Sequence, residues 1–369
     1  MNAPRHDETA VLGPVTHESR RGVGILRANG TRFRPRRFAG RAANYLTYLA
    51  SAGFAARQVG RPDVVVSLTD PPVIGLTALR TARRTGARFV FLCEDVFPEV
   101  ATLLDDFSSA FVNHTLDRIN RRLLRQADAV VALGERMRRR LVEEKSADPA
   151  RMHVIHNWAD CDAIVPGPKD NAFSRSLGIA DQFVFMHSGN IGHSQNLDVL
   201  VAAAERLRSR ERLTFLIVGE GTRRDALEAE VARRHLTNVR FAGYQPKASL
   251  HESFAAADAF LIALKPGIEG YIVPSKLYGI LASGRPYVAA TDPSCEAADI
   301  VRQHQCGLLA RPGDPDDLAA KVAALYDDPA STRAMGVNAR AAALRFDRRH
   351  AVASYHELFL RLTSVARAA

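Results

Sequence analysis

Tryptophan occurs once in this chain and cysteine four times, and Cys93, Cys161, Cys295 and Cys306 lie far apart with no Cys-x-x-Cys or Cys/His ligand spacing. That argues against both a disulfide framework and a structural zinc. No run approaches the roughly 18 consecutive apolar residues of a membrane span, and the opening MNAPRHDETAVLG lacks the apolar core of a signal peptide. The expectation is a cytoplasmic protein, not an integral membrane one. Internal repeats and low-complexity tracts are missing too, which excludes solenoids and linker-type chains. What is present has the balance of a soluble globular protein, 47% hydrophobic and 24% charged. Its 369 residues exceed what one core supports, about 250–300, so two domains are expected.

Carboxylates are the scarcer charge, 40 Asp and Glu against 50 Lys and Arg, a net +10. The imbalance is local: residues 1–60 hold ten Arg and three acids. Arg32, Arg34, Arg36, Arg37 and Arg41 are interleaved with Phe33, Phe38, Tyr45 and Tyr48. A basic stretch with aromatics suits an anionic lipid surface through Coulomb attraction and shallow insertion, and is equally consistent with an Arg-rich solvated helix face. Charge alone would also admit nucleic acid, but no recognition motif supports it, so no nucleic-acid partner is expected.

Apolar β-branched runs alternate with longer helical patterns. Strands are predicted at Val23–Arg27, Val64–Leu68, Phe89–Cys93, Ala129–Leu133 and Val154–His156. After a Pro/Gly-rich stretch, Ala163–Asp170, they resume at Val184–His187, Thr214–Val218, Val239–Phe241, Ala259–Ala263, Tyr287–Ala290 and Gly307–Ala310. Helical patterns fall at Asn196–Arg208, Thr222–His235, Leu250–Ala256 and Pro274–Leu281. Strands separated by helices imply parallel βαβ units, and two such sets imply an α/β protein with two Rossmann-like doubly wound domains. The expected layout is a disordered tail at 1–21, a first domain at 22–165, a second at 173–345, and a C-terminal helix at 346–369 packing back toward the first.

In open α/β sheets ligands bind beyond the carboxyl ends of the strands, so the loops there carry the candidates. Gly189, Asn190 and Gly192 form a turn directly after the strand FVFMH, where backbone amides and a following helix would approach an anion. Gly219 and Gly221 repeat the arrangement after FLIV, with Arg223 adding charge. Pro274, Ser275 and Lys276 suit a helix start able to hold a diphosphate, and Glu269 just before them suits sugar or ribose hydroxyls. Each has a plainer alternative: tight turns without ligand, an exposed helix lysine, a loop carboxylate in water.

In combination, SGNIG…QNLD, GEG, FAGY, VPSKLYGILASGRP and CGLLARPGD, over Gly189 to Pro312, resemble the donor domain of retaining glycosyltransferase family 4, of GT-B fold. The likeness is to its colanic acid, O-antigen and capsule branch, including the L-fucosamine transferase type. RPDVVVSLTDPP, EDVFPE, ADAVVALGERM and VIHNWAD match the acceptor-side domain of that branch. The resemblance implies transfer of a sugar from a nucleoside diphosphate to a lipid-linked or glycan acceptor, with the anomeric configuration kept. It further implies no cofactor and no metal, cationic groups serving the diphosphate, and work at the inner membrane face. Asp95 in CEDVFPE would be the base or acceptor anchor, or simply a helix N-cap.

Two departures stand out. The relatives' paired glutamates would fall at Tyr271 and Gly279, so the ribose contact passes by expectation to Glu296, and His193 replaces the usual basic residue after the glycine turn. In addition, nothing before Val23 reads as the family's opening strand–glycine loop–helix units, so the first domain is expected to be N-terminally incomplete. That leaves room for a non-catalytic nucleotide-sugar-binding protein or, on the same fold, a nucleotide-sugar epimerase.

Overall fold

The structure, a computed structural model, describes residues 15–31, 33, 38–104 and 109–368. Its strands are β1 (Val15–Arg20), β2 (Val23–Ala28), β3 (Val64–Ser67), β4 (Arg88–Cys93), β5 (Ala129–Ala132) and β6 (Met152–Val154), followed by β7 (Phe183–Ser188), β8 (Leu213–Val218), β9 (Val239–Ala242), β10 (Ala259–Ala263), β11 (Tyr287–Ala290) and β12 (Gly307–Ala310). Two parallel sheets result. The first runs β3-β4-β5-β6 and the second β12-β11-β10-β7-β8-β9. The second order is the doubly wound one, whose direction reverses between β7 and β10.

β8 and β10 are buried along their whole length, which is why they read as unbroken apolar runs. Apolar clusters cover both faces of this sheet: one centres on Met186, Phe260, Tyr278 and Tyr287, the other on Phe185, Leu200, Phe215 and Val288. One face of the first sheet packs against Leu79, Leu123 and Met137. Its other face is covered by Ala351 and Leu358 of the C-terminal helix, Arg348–Ala368, which crosses over from the second domain.

Three sequence expectations change. Residues 15–20 are not tail: β1 pairs antiparallel with β2 in a separate two-stranded sheet, so Val23–Arg27 does not open the parallel sheet. Polar residues predominate in VTHESR because that strand is mostly exposed. The helix expected from Asn196 starts at Asp198, because His193–Gln195 forms a single 3₁₀ turn and Asn196 is left-handed, φ 46°. Among the described residues, β3 has no partner strand on its outer side, and Leu68 beyond it is exposed. Of the basic stretch, Arg32, Arg34, Arg36 and Arg37 lie outside the described residues, as does the side chain of Arg41.

Candidate active site in the interdomain cleft

A cleft of about 980 Å³ separates the domains at the switch point of the second sheet. Gly189, Asn190, Pro274, Ser275 and Lys276 line one side, and Asp70, Asp95 and Trp158 belong to the opposite domain. Asp95 follows β4, and its backbone forms a bridge to Ile272, two residues before Pro274. A carboxylate of the first domain and the loop before Pro274 in the second therefore meet in one site.

Lys276 opens the short helix Lys276–Ala282, its Nζ packed 3.4 Å from His187 Nε2 at the end of β7. Among the described residues no carboxylate pairs with it. Burial pulls its ammonium down to about 7. His187 is fully buried, and burial first, then the Lys276 charge, holds it well below the usual imidazole range, hence neutral. Its Nε2 also lies 3.3 Å from the Asn190 carbonyl. This unbalanced cation beside a glycine turn is what an anionic group would complete. The role of His187 was hidden in the sequence because it sits inside an apolar strand, one residue ahead of the serine preceding the turn.

Asp95 is the opposite case. Burial, then the nearby Glu94 and Asp70 charges, pushes its carboxyl up to about 6. Its N–H donates to Thr69 Oγ1 at 3.1 Å, fixing the turn after the strand. A carboxylate in that range accepts a proton from a bound hydroxyl more readily than an ordinary aspartate does.

Several expected site residues are engaged elsewhere. Gly219 and Gly221 hold the second loop against the first: Gly189 N–H donates to Val218 O (2.9 Å), Ile191 N–H to Glu220 O (2.9 Å) and Arg223 N–H to Ile191 O (3.0 Å). They shape the Gly189 turn from behind and do not line the cleft. The Arg223 side chain pairs with Asp198 at 2.8 Å, and Arg224 with Glu228 and Glu220, so both have carboxylate partners already. Gly192 N–H is taken by Gln195 Oε1 at 2.9 Å. Glu269 is buried and folds back on its own turn, accepting from Gly267 N–H at 2.9 Å, while its carbonyl accepts from Arg140 Nε of the first domain at 2.8 Å. Arg140 also stacks on Tyr271, 4.1 Å from guanidinium carbon to ring centre, so the segment leading to Pro274 is clamped to the first domain. Glu296, the expected ribose contact, is ion-paired with His156 across the domain junction and accepts from Tyr278 Oη at 3.4 Å. These partners come from distant parts of the chain, which no local motif announces.

The family described as "Glycosyl transferases group 1" matches residues 182–328, and "Glycosyl transferase 4-like domain" matches residues 2–158. The chain is 30% identical over 284 residues to the probable glycosyltransferase WbjE of Pseudomonas aeruginosa, covering 76% of this chain and 70% of that one. It is 27% identical over 254 residues to the putative colanic acid biosynthesis glycosyl transferase WcaI of Escherichia coli K12, covering 66% and 61%. Among solved structures, Anabaena HepE in complex with UDP and glucose superimposes with a TM-score of 0.70 at 21% identity, covering 90% of this chain and 84% of that one. Sucrose-phosphate synthase from Thermosynechococcus elongatus superimposes with a TM-score of 0.77 at 16% identity, covering 96% and 87%. The two family matches fall one on each parallel-sheet domain, and the chain belongs to the group 1, family 4-like glycosyltransferases of GT-B fold.

Proposed function

We propose that the chain transfers a sugar from a nucleoside diphosphate to a lipid-linked or glycan acceptor in cell-surface polysaccharide synthesis, with retention at the anomeric carbon. The observation that carries this reading is Lys276, a buried cation with no carboxylate partner among the described residues, beside the Gly189–Asn190 turn. As the glycosidic bond breaks, negative charge builds on the leaving diphosphate. Lys276 and the loop amides stabilise it in place, the role a metal ion serves elsewhere. Asp95, on the other wall, anchors the acceptor hydroxyl, which attacks from the face the diphosphate is leaving and passes its proton to the departing phosphate oxygen, so the configuration is kept. Names among the relatives support the pathway class: WcaI is a putative colanic acid transferase.

Thermal unfolding with UDP-, GDP- and dTDP-sugars tests the reading. A nucleotide present at about 100 times its Kd adds about 2.7 kcal/mol, a Tm rise of roughly 5–10 °C for a domain of this size. No rise with any of the three would overturn it. Binding without turnover of the sugar would leave a nucleotide-sugar-binding protein only.

We further propose that Arg32–Arg41 docks the chain on an anionic membrane surface. Each nearby Arg contributes about 1 kcal/mol to binding acidic headgroups. Sedimentation should show binding to vesicles containing phosphatidylglycerol and none to pure phosphatidylcholine; equal behaviour toward both refutes docking by charge.

A further inference from the structure

Trp158 is the chain's one tryptophan, and it is 39% exposed at the wall of the cleft. A large indole left open in a concave site, not capped by its neighbours, has apolar area to offer a ligand. Its placement is fixed from behind. Ala159 N–H donates to Phe346 O at 3.1 Å, and Arg348 N–H donates to Ala159 O at 2.9 Å, tying the segment to the crossover into the C-terminal helix. The indole meets the Tyr355 ring edge-on, 6.3 Å between centres and 78° between planes, and Tyr355 in turn packs on Phe359. Little side-chain freedom remains to be lost on binding.

The surroundings decide what such a ring receives. Asp70 and Asp95 line the same cleft, Asp160 lines it ion-paired with Arg348 at 2.9 Å, and Lys276 and the glycine turn belong to the other domain. Asp70 and Asp95 disfavour a phosphate beside them and accept hydrogen bonds from hydroxyls. A flat aromatic face complements the axial C–H groups on one side of a pyranose, whose hydroxyls then point outward to carboxylates. A nucleobase would use the ring but not the acids, and would carry its phosphates toward them.

We propose that Trp158 is the stacking platform for the acceptor's terminal pyranose and a determinant of acceptor specificity, resting on the glycosyltransferase reading above. The stacked sugar would present one hydroxyl to Asp95, with Asp70 as a rim acceptor.

A single tryptophan makes its own reporter. Emission of the wild-type chain is followed during titration with a panel of octyl pyranosides below their micelle concentrations (glucoside, galactoside, N-acetylglucosaminide, rhamnoside, fucoside), and separately with UDP, GDP and dTDP. The expected result is a saturable change with at least one pyranoside and none with the nucleotides. Calorimetry with that pyranoside should show Trp158→Ala weakening binding at least tenfold and Trp158→Phe restoring most of it, while nucleotide affinity stays at the wild-type value in both variants. Nucleotide binding by thermal shift without any pyranoside response would overturn the platform alone, and a nucleotide-induced emission change would reassign the ring to the base. Failure of all nucleotides to bind would instead strike the underlying reading of the site.

Discussion

Lys276→Ala is expected to weaken binding of the nucleoside diphosphate by about 1.5–3 kcal/mol, roughly 10- to 150-fold in Kd, the range for hydrogen bonds to charged groups. Among the described residues no carboxylate matches its charge: Nζ lies against neutral His187 and the Gly189 turn. Burial already holds its ammonium near 7, so above that pH the unliganded site is largely uncharged. A bound diphosphate favours the protonated form and raises that value. Binding therefore takes up a proton between about pH 7 and the higher value of the complex, and affinity falls there by up to about tenfold per pH unit. Below pH 7 the ammonium is charged in both states and this dependence vanishes. Isothermal titration at pH 6.5, 7.5 and 8.5, in two buffers of different ionisation enthalpy, reads both effects. The alanine variant should lose affinity at pH 6.5 and lose the proton uptake at pH 8.5. Unchanged affinity in the variant would remove Lys276 from the site.

What the sequence made legible divides along physical lines. β10, β11 and β12 were readable to the residue because each is an apolar run bounded by turn signals. β1 was not, because VTHESR shows no inward-facing alternation, and its pairing rests on a turn at Arg21-Gly22 instead of a strong Asn-Gly signal. Within the site, Gly189, Asn190, Pro274, Ser275, Lys276 and Asp95 converge on the cleft because position after a strand end is set by topology, which the βαβ alternation reveals. Arg223, Glu269 and Glu296 have the right chemistry and the right loops but are committed to Asp198, Gly267 and His156. Composition says that a carboxylate is available. Only the fold says whether a nearer partner has already taken it, and for Glu296 that partner lies 140 positions away.

Gly219→Ala is the substitution expected to cost most, and it separates packing from ligand binding in the glycine turns. Gly219 has φ +136°, a conformation that L side chains rarely adopt, and a Cβ built there would lie 2.0 Å from the Gly189 carbonyl oxygen. That neighbour is backbone, so it cannot rotate away. Strain of about 1–3 kcal/mol and overpacking of about 1–3 kcal/mol act together, giving a loss of roughly 2–6 kcal/mol. Either the Gly219 turn unfolds locally or Gly189 shifts, and Gly189 carries the N–H bonded to Val218 O and abuts the Lys276 ammonium. Stability and nucleotide affinity should therefore drop together, although Gly219 does not itself line the cleft. Gly243→Ala is the control: it lies in the loop after the neighbouring β9, has no positive φ, and would place its Cβ 3.6 Å from the Glu220 carboxylate, an ordinary contact. Its melting temperature and nucleotide Kd should match wild type, whereas Gly219→Ala should melt at least about 4 °C lower, as follows from about 2 kcal/mol or more in a domain of this size. Were Gly219→Ala to melt with wild type yet lose nucleotide, its glycine would be serving the ligand directly and the packing account of the second loop would be wrong.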